Sequence, residues 1–319
     1  MSTRVARHLI AAAFCAVLYG QDVTDSTPHS VQFITVEKDV KLEVLGWGGT
    51  GRPILLLTGL GNDAHIFDKF APRLTEKYRV YGITRRGFGK SSAPAPTAAN
   101  YSADRLADDV LAVIDQLKLS KPVLAAHSLG GEELSSIGSR YPAKVAGLIY
   151  LDGGYKYAYY DSSHPDFNIE MNELQSMLDS VRSKRNGDLA AIEKLLANLP
   201  AIERILQRQQ NALKGSPTPS TSSQPITAAI LAGERKYTKI PAPVLAIYAV
   251  PPPALKLGPK TLADIVVAQA ALDEAQAKAF EAGVPTARVV RIPNAEHYVF
   301  LSNEADVLRE MNAFIDGLP

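Results

Sequence analysis

Ser128 lies in the string Ala126-His127-Ser128-Leu129-Gly130-Gly131, between an apolar run at 123–126 and a helix-like stretch at 132–137. Small residues two positions either side of a serine permit a tight strand-to-helix turn that lifts the hydroxyl into the open. The start of the following helix favours negative charge developing beside it. The chemistry suited to such a serine is nucleophilic attack on a carbonyl. Ala126 stands where such turns usually carry glycine, so its methyl group adds some crowding. The plainer alternative is a turn serine with a packing role only.

A serine nucleophile needs a base, and chain order points to His297, in the loop Asn294-Ala295-Glu296-His297-Tyr298 after the last apolar run and 297 − 128 = 169 residues beyond the serine. Of the other histidines, His127 is expected to point away as the neighbour of the serine, His29 precedes the fold, and His65 and His164 are candidates for lining a pocket. The acid is harder to place. The run at 244–248 leads into Ala249-Val250-Pro251-Pro252-Pro253 with no carboxylate, whereas the preceding run, 147–151, ends in Asp152. Asp152 is the chosen partner, to orient the imidazole and stabilise its cation; Asp264 is the alternative. Thr58-Gly59-Leu60-Gly61 ends the first buried run, and such a turn can aim a backbone N–H at an oxyanion. The N–H groups of Leu60 and Leu129 are the expected donors, each worth roughly 3 kcal/mol to the transition state.

These residues must be positioned by alternating strands and helices. Residues 31–45 alternate as a hairpin, and continuous apolar runs follow at 54–57, 80–84, 123–126, 147–151, 244–248 and 289–292, as in strands buried on both faces of a parallel sheet. Leu106, Val110, Val113, Ile114 and Leu117 have helical spacing, as do Val307, Met311, Phe314 and Ile315. The 240 − 156 + 1 = 85 residues of 156–240 break the rhythm. They hold helical segments at 169–181, 189–199 and 202–213, then a Ser/Thr/Pro-rich stretch at 215–225 expected to form a mobile loop. The reading is a helical lid inserted into a core formed by 21–155 and 241–319; a peripheral embellishment is the alternative.

Composition narrows the function. With 34 Lys+Arg against 33 Asp+Glu among 319 residues, the chain lacks the charge footprint of a nucleic-acid binder. One cysteine, Cys15, excludes a disulfide framework and zinc bound by several cysteines. Arg4 and Arg7 precede an apolar run at 9–19, too short at about eleven residues to span a bilayer, so residues 1–20 read as a secretory signal, with a buried or disordered helix as the alternative. Its removal would leave a balance of 32 − 33 = −1. A secreted or periplasmic location follows, or a cytoplasmic one if the segment is not a signal, without stable membrane insertion.

The sequence resembles the α/β-hydrolase superfamily over residues 31–317, through the turn at 58–61, the serine elbow, His297, and Arg86-Gly87-Phe88-Gly89-Lys90-Ser91-Ser92, similar to the RGxGxS loop of capped esterases, epoxide hydrolases and proline iminopeptidases. The resemblance implies a mostly parallel, eight-stranded sheet with helices on both faces and a helical cap after the sixth strand. Three departures stand out: Ala126 in the elbow, Thr58 where the family has histidine, and no acid after the seventh strand. Serine at the elbow, where the epoxide-hydrolase and dehalogenase branches carry aspartate, points to acyl transfer. The expected activity is hydrolysis of a small-to-medium carboxylic ester through Ser128, His297 and Asp152, with no metal or organic cofactor required. Phe67, Tyr155, Tyr157 and Tyr298 are candidate pocket residues, although tyrosines at 155–160 serve lid packing equally well. Two alternatives stay open: a proline-iminopeptidase-like enzyme using Glu170, Glu173 or Asp179 to hold an amino terminus, and a non-catalytic ligand binder of the same fold.

Overall fold

Short apolar runs bounded by Gly, Pro and Asn form eight strands of one sheet in this computed structural model, which describes residues 28–183, 189–213, 225–250 and 260–319. The signal reading of 1–20 and the loop reading of 215–225, apart from Pro225, lie outside the described residues. In chain order the strands are β1 Ser30–Glu37, β2 Val40–Gly48, β3 Pro53–Leu57, β4 Arg79–Ile83, β5 Val123–His127, β6 Gly147–Leu151, β7 Val244–Val250 and β8 Ala287–Pro293. Their spatial order is β1-β2-β4-β3-β5-β6-β7-β8. The β1–β2 and β2–β4 pairs are antiparallel and all others parallel.

Side-chain alternation along the strands feeds two cores, one on each face. Leu55, Leu57, Leu124, Ala126, Leu148 and Tyr150 pack on one side with Val110, Val113 and Ile114 of α1 (Ala103–Gln116) and Leu134 and Ile137 of α2 (Gly131–Arg140). Ile54, Leu56, Val123, Ala125, Ile149 and Leu151 face the other way. There they meet Phe67, Phe70 and, from the C-terminal helix Glu304–Asp316, Val307, Met311 and Ile315. Strands with both faces covered need unbroken apolar runs, which is the pattern read from the sequence.

The insert between β6 and β7 holds α3 (Phe167–Ser183), α4 (Leu189–Leu213) and α5 (Pro225–Leu231). The segments expected at 189–199 and 202–213 are one helix running through Pro200. Proline removes one N–H from the ladder, and the periodic stretches on either side supply enough remaining bonds for the helix to continue. Helix α6 (Lys260–Gly283) connects β7 to β8.

Candidate active site

Three side chains converge because parallel strands end at one edge of the sheet, β5 and β6 as neighbours and β8 one strand further on, beyond β7. β5 delivers Ser128, its neighbour β6 delivers Asp152, and the loop after β8 delivers His297. Ser128 and Asp152 both have φ of 50°, the left-handed region that a side chain with Cβ rarely adopts. Such backbone persists only where its surroundings over-determine it. Around Ser128 they do. A Cβ at Gly153 would lie 2.6 Å from the Ser128 carbonyl oxygen, and one at Gly130 would lie 2.9 Å from the Thr58 carbonyl oxygen.

His297 Nε2 lies 3.0 Å from Ser128 Oγ, and His297 Nδ1 lies 2.7 Å from Asp152 Oδ2. The carboxylate therefore accepts a hydrogen bond from Nδ1–H, fixing the tautomer whose Nε2 lone pair faces the serine. The other Asp152 oxygen, Oδ1, accepts from the Tyr155 hydroxyl at 2.6 Å and from the Ala249 N–H at 2.9 Å. The Asp152 N–H bonds to the Ile247 carbonyl at 2.8 Å, so the residue that follows β6 is stitched along β7. Asp264, the alternative acid, has its side chain outside the described residues.

The turn after β3 is held against the elbow. A Cβ at Gly59 would lie 2.8 Å from His127 Nδ1 and 3.1 Å from the Ser128 Cβ, so only glycine fits there. Arg85 clamps the turn from behind, donating to the Thr58 carbonyl at 3.0 Å and forming a bidentate pair with Glu133 at 2.7 and 2.9 Å. Arg85 and Glu133 are both buried. Burial works against the Arg85 charge, but contact with Glu133 outweighs it and raises the guanidinium pKa. Leu129 is the second residue of the short 3-10 turn Ser128–Gly130 that leads into α2, among the N–H groups that a helix start leaves without an intrahelical acceptor.

His127 does not point away from the site, contrary to expectation. Its Nε2–H donates to the His297 carbonyl at 3.0 Å, and its ring lies 4.6 Å from those of His297 and Tyr298. Burial, reinforced by the charge of His297, holds its pKa well below the usual histidine value, so it is a neutral prop beneath the imidazole. Only the packing of strand end on loop reveals this role.

The candidate pocket residues separate. Tyr157 packs against the cluster that holds Leu129, and burial raises its hydroxyl pKa well above the usual value, with Asp152 adding to the rise and a side-chain hydrogen bond to Ser128 opposing it. Tyr155 braces Asp152. Tyr298 donates to Asn62 at 3.2 Å, tying the histidine loop to the turn after β3. Phe67 must be corrected: it is fully buried in the core, 5.0 Å from the Phe300 ring, because the short helical turn carrying it packs under the sheet. Of the other histidines, His65 bonds Asp68, and the His164 side chain is 85% exposed beside Asp161.

Two carboxyls near the site are perturbed. Burial, then the neighbouring Glu133 and Glu234, pushes Glu132 well above the usual range, and neither of its oxygens has a partner among the described residues. Asp273 is pushed up to about 6, first by burial, with the nearby Asp152 also raising it.

A family model described as the alpha/beta hydrolase fold matches residues 52–304. A provisionally named carbamate hydrolase, RutD, of Caulobacter segnis is 33% identical over 112 residues, which make up 35% of this chain and 42% of that protein. The chain thus spans about two fifths of the length of that curated relative. The 2-(acetamidomethylene)succinate hydrolase of Mesorhizobium japonicum is 25% identical over 280 residues, 84% of this chain and 90% of that protein. Among solved structures, a thermophilic esterase from Thermogutta terrifontis superposes with a TM-score of 0.56 at 22% identity, covering 91% of this chain and 98% of that one. With the family match spanning most of the chain, on a sheet whose strand ends bring serine, histidine and aspartate together, the chain belongs to the alpha/beta hydrolase fold family.

Proposed function

We propose that this protein is a serine hydrolase that cleaves small-to-medium carboxylic esters through an acyl-enzyme. The observation that carries the reading is the unbroken relay from Ser128 Oγ to His297 Nε2 at 3.0 Å and from His297 Nδ1 to Asp152 Oδ2 at 2.7 Å. In the first half-reaction His297 takes the Ser128 proton as Oγ bonds to the ester carbonyl carbon. The oxyanion is received by the N–H groups of Leu60 and Leu129. The C–O bond to the leaving alcohol breaks as His297 returns the proton to that oxygen. Water then attacks the acyl-serine with the same base, releasing the carboxylic acid and restoring Ser128. Asp152 keeps the ring in the reactive tautomer throughout.

Substrate size is read from the apolar cluster that holds Leu129, the residue after the nucleophile. Leu60, Phe88, Tyr157 and Ile226 pack against this cluster, a setting suited to a short acyl or aryl group. Ile226, Ala229 and Ile230 belong to α5, so the helical insert at 156–240 acts in this reading as the cap over the site. The peptidase alternative draws less support. Glu170 is engaged by Lys236 at 2.6 Å and by the Tyr160 hydroxyl, Glu173 by Lys194 at 3.4 Å, and Asp179 by Gln175 at 2.8 Å. Export through residues 1–20 belongs to the same proposal, and mass spectrometry of the mature N-terminus tests it.

Turnover of p-nitrophenyl acetate and butyrate tests the main reading. Ser128→Ala is expected to lower kcat by about 10^4-fold or more. Undiminished turnover by that variant overturns the mechanism, serine-independent binding without hydrolysis favours the ligand binder, and preference for prolyl amides favours the peptidase.

A further inference from the structure

Away from the serine elbow, beside the antiparallel end of the sheet, two histidines and an aspartate come together from separate stretches of chain. His65 lies in the 3-10 turn Ala64–Phe67 and Asp68 is its C-cap. Side chains three residues apart eclipse on such a turn, and His65 Nδ1 accordingly lies 3.0 Å from Asp68 Oδ2. His29 enters from the chain just before β1. The β1–β2 register, with Ser30 opposite Gly46, sets it beside Trp47, and its ring lies 5.2 Å from that of His65. His29 Nδ1 is 3.9 Å from Asp68 Oδ1. One ligand atom from each of the three residues lies within 4.8 Å of the other two.

We propose that His29, His65 and Asp68 form a binding site for a borderline divalent cation of the zinc type. Ligands at about 2.0–2.2 Å from such an ion stand roughly 3.4 Å apart in tetrahedral geometry, so from a largest separation of 4.8 Å the ligand atoms need to close by at most about 1.4 Å. Two imidazoles and one carboxylate select zinc, cobalt or nickel over calcium or magnesium, which favour all-oxygen sets. The aspartate is oriented from outside the set: the Trp47 indole N–H donates to Asp68 Oδ1 at 3.2 Å. Partners of this kind tune metal affinity. Solvent reaches the cluster past His65, whose side chain is 29% exposed against 6% for His29, leaving a path for the ion and a position for water.

The bound ion joins the chain entering β1 to the turn that follows Thr58-Gly59-Leu60-Gly61. It is a clip on the scaffold, separate from the hydrolytic relay. The full chain, stripped with EDTA and titrated calorimetrically with zinc chloride at neutral pH, is expected to bind one equivalent with micromolar affinity and to gain several degrees in Tm. His65→Gln and Asp68→Asn are expected to weaken binding tenfold or more and to abolish the Tm gain, whereas His164→Gln leaves both unchanged. Because a variant can fail to fold, the wild-type protein supplies a second reading: zinc protects His65 from diethyl pyrocarbonate, located by mass spectrometry. Absence of saturable binding at millimolar zinc, binding that survives both substitutions in folded protein, or an unprotected His65 overturns the proposal.

Discussion

Asp152 carries four hydrogen bonds through its carboxylate and backbone: Oδ2 to His297, Oδ1 to Tyr155 and to the Ala249 N–H, and its own N–H to Ile247. The carboxylate is therefore held from several sides, and in the proposed mechanism its part is to hold a tautomer. Asp152→Asn keeps the shape and puts an amide where an acceptor is needed, so kcat for p-nitrophenyl butyrate is expected to fall by about 10^4-fold. Tyr155→Phe removes one of two donors to Oδ1 and leaves Ala249 in place. With about 1 kcal/mol at stake, the expected loss in kcat is several-fold. Equal losses in the two variants would show that Tyr155 does more than brace the acid. The serine and histidine were legible from motif and order. The acid was legible only as the carboxylate that follows β6. The Ala249 contact was invisible because it joins residues 97 apart across neighbouring strands, and the Tyr155 contact because the fold of the loop after β6 decides where that hydroxyl points.

Elements meet at the Arg85–Glu133 pair, which links the loop after β4, the first turn of α2 and the carbonyls of Thr58 and Gly59. Removing one partner leaves a buried charge alone, whereas replacing both with apolar residues does not. Glu133→Gln is accordingly expected to cost about 3–5 kcal/mol in urea denaturation and to lower kcat as the turn bearing Leu60 loosens. The double variant Arg85→Met with Glu133→Leu is expected to recover most of that stability but not the rate. Recovery of both would detach the clamp from catalysis. The strands themselves were readable because strands covered on both faces need continuous apolar runs. Pro200 misled for a local reason, since a breaker in an interior position predicts a boundary that the ladder on either side overrode.

Across the whole molecule, buried carboxyls make stability depend on pH. Glu234, at the end of the insert, is buried and pushed up to about 7, first by burial, with Lys156 opposing and Asp166 adding to the rise. Its folded pKa stands above the unfolded value of 4.5, so between those values the native state holds more protons than the unfolded chain. Stability then falls as pH rises through that window, with the loss complete above about pH 7. From the size of the shift the loss is about 3 kcal/mol. Urea denaturation of wild type and Glu234→Gln at about pH 5 and about pH 8 is expected to show a smaller decline in the variant. An equal decline in both would mean that Glu234 does not carry the effect. Glu132 is displaced in the same direction, and its oxygens lack partners among the described residues. Glu132→Gln is therefore expected to stabilise the protein at neutral pH, read as a higher urea midpoint.

Local patterning determined the strand runs, the helix spacing, the serine turn and the late histidine, because each rests on periodicity or on a few adjacent residues. The alternating sheet followed from the same signals. Tertiary packing decided the rest. It set Asp152 along β7, where the sequence offers no acid, by hydrogen bonds between neighbouring strand ends. It buried Phe67 beneath the sheet, turned His127 from a bystander into a prop for His297, and gathered His29, His65 and Asp68 from two stretches of chain. Those outcomes depend on which strand lies beside which, and no window of adjacent residues records that distance.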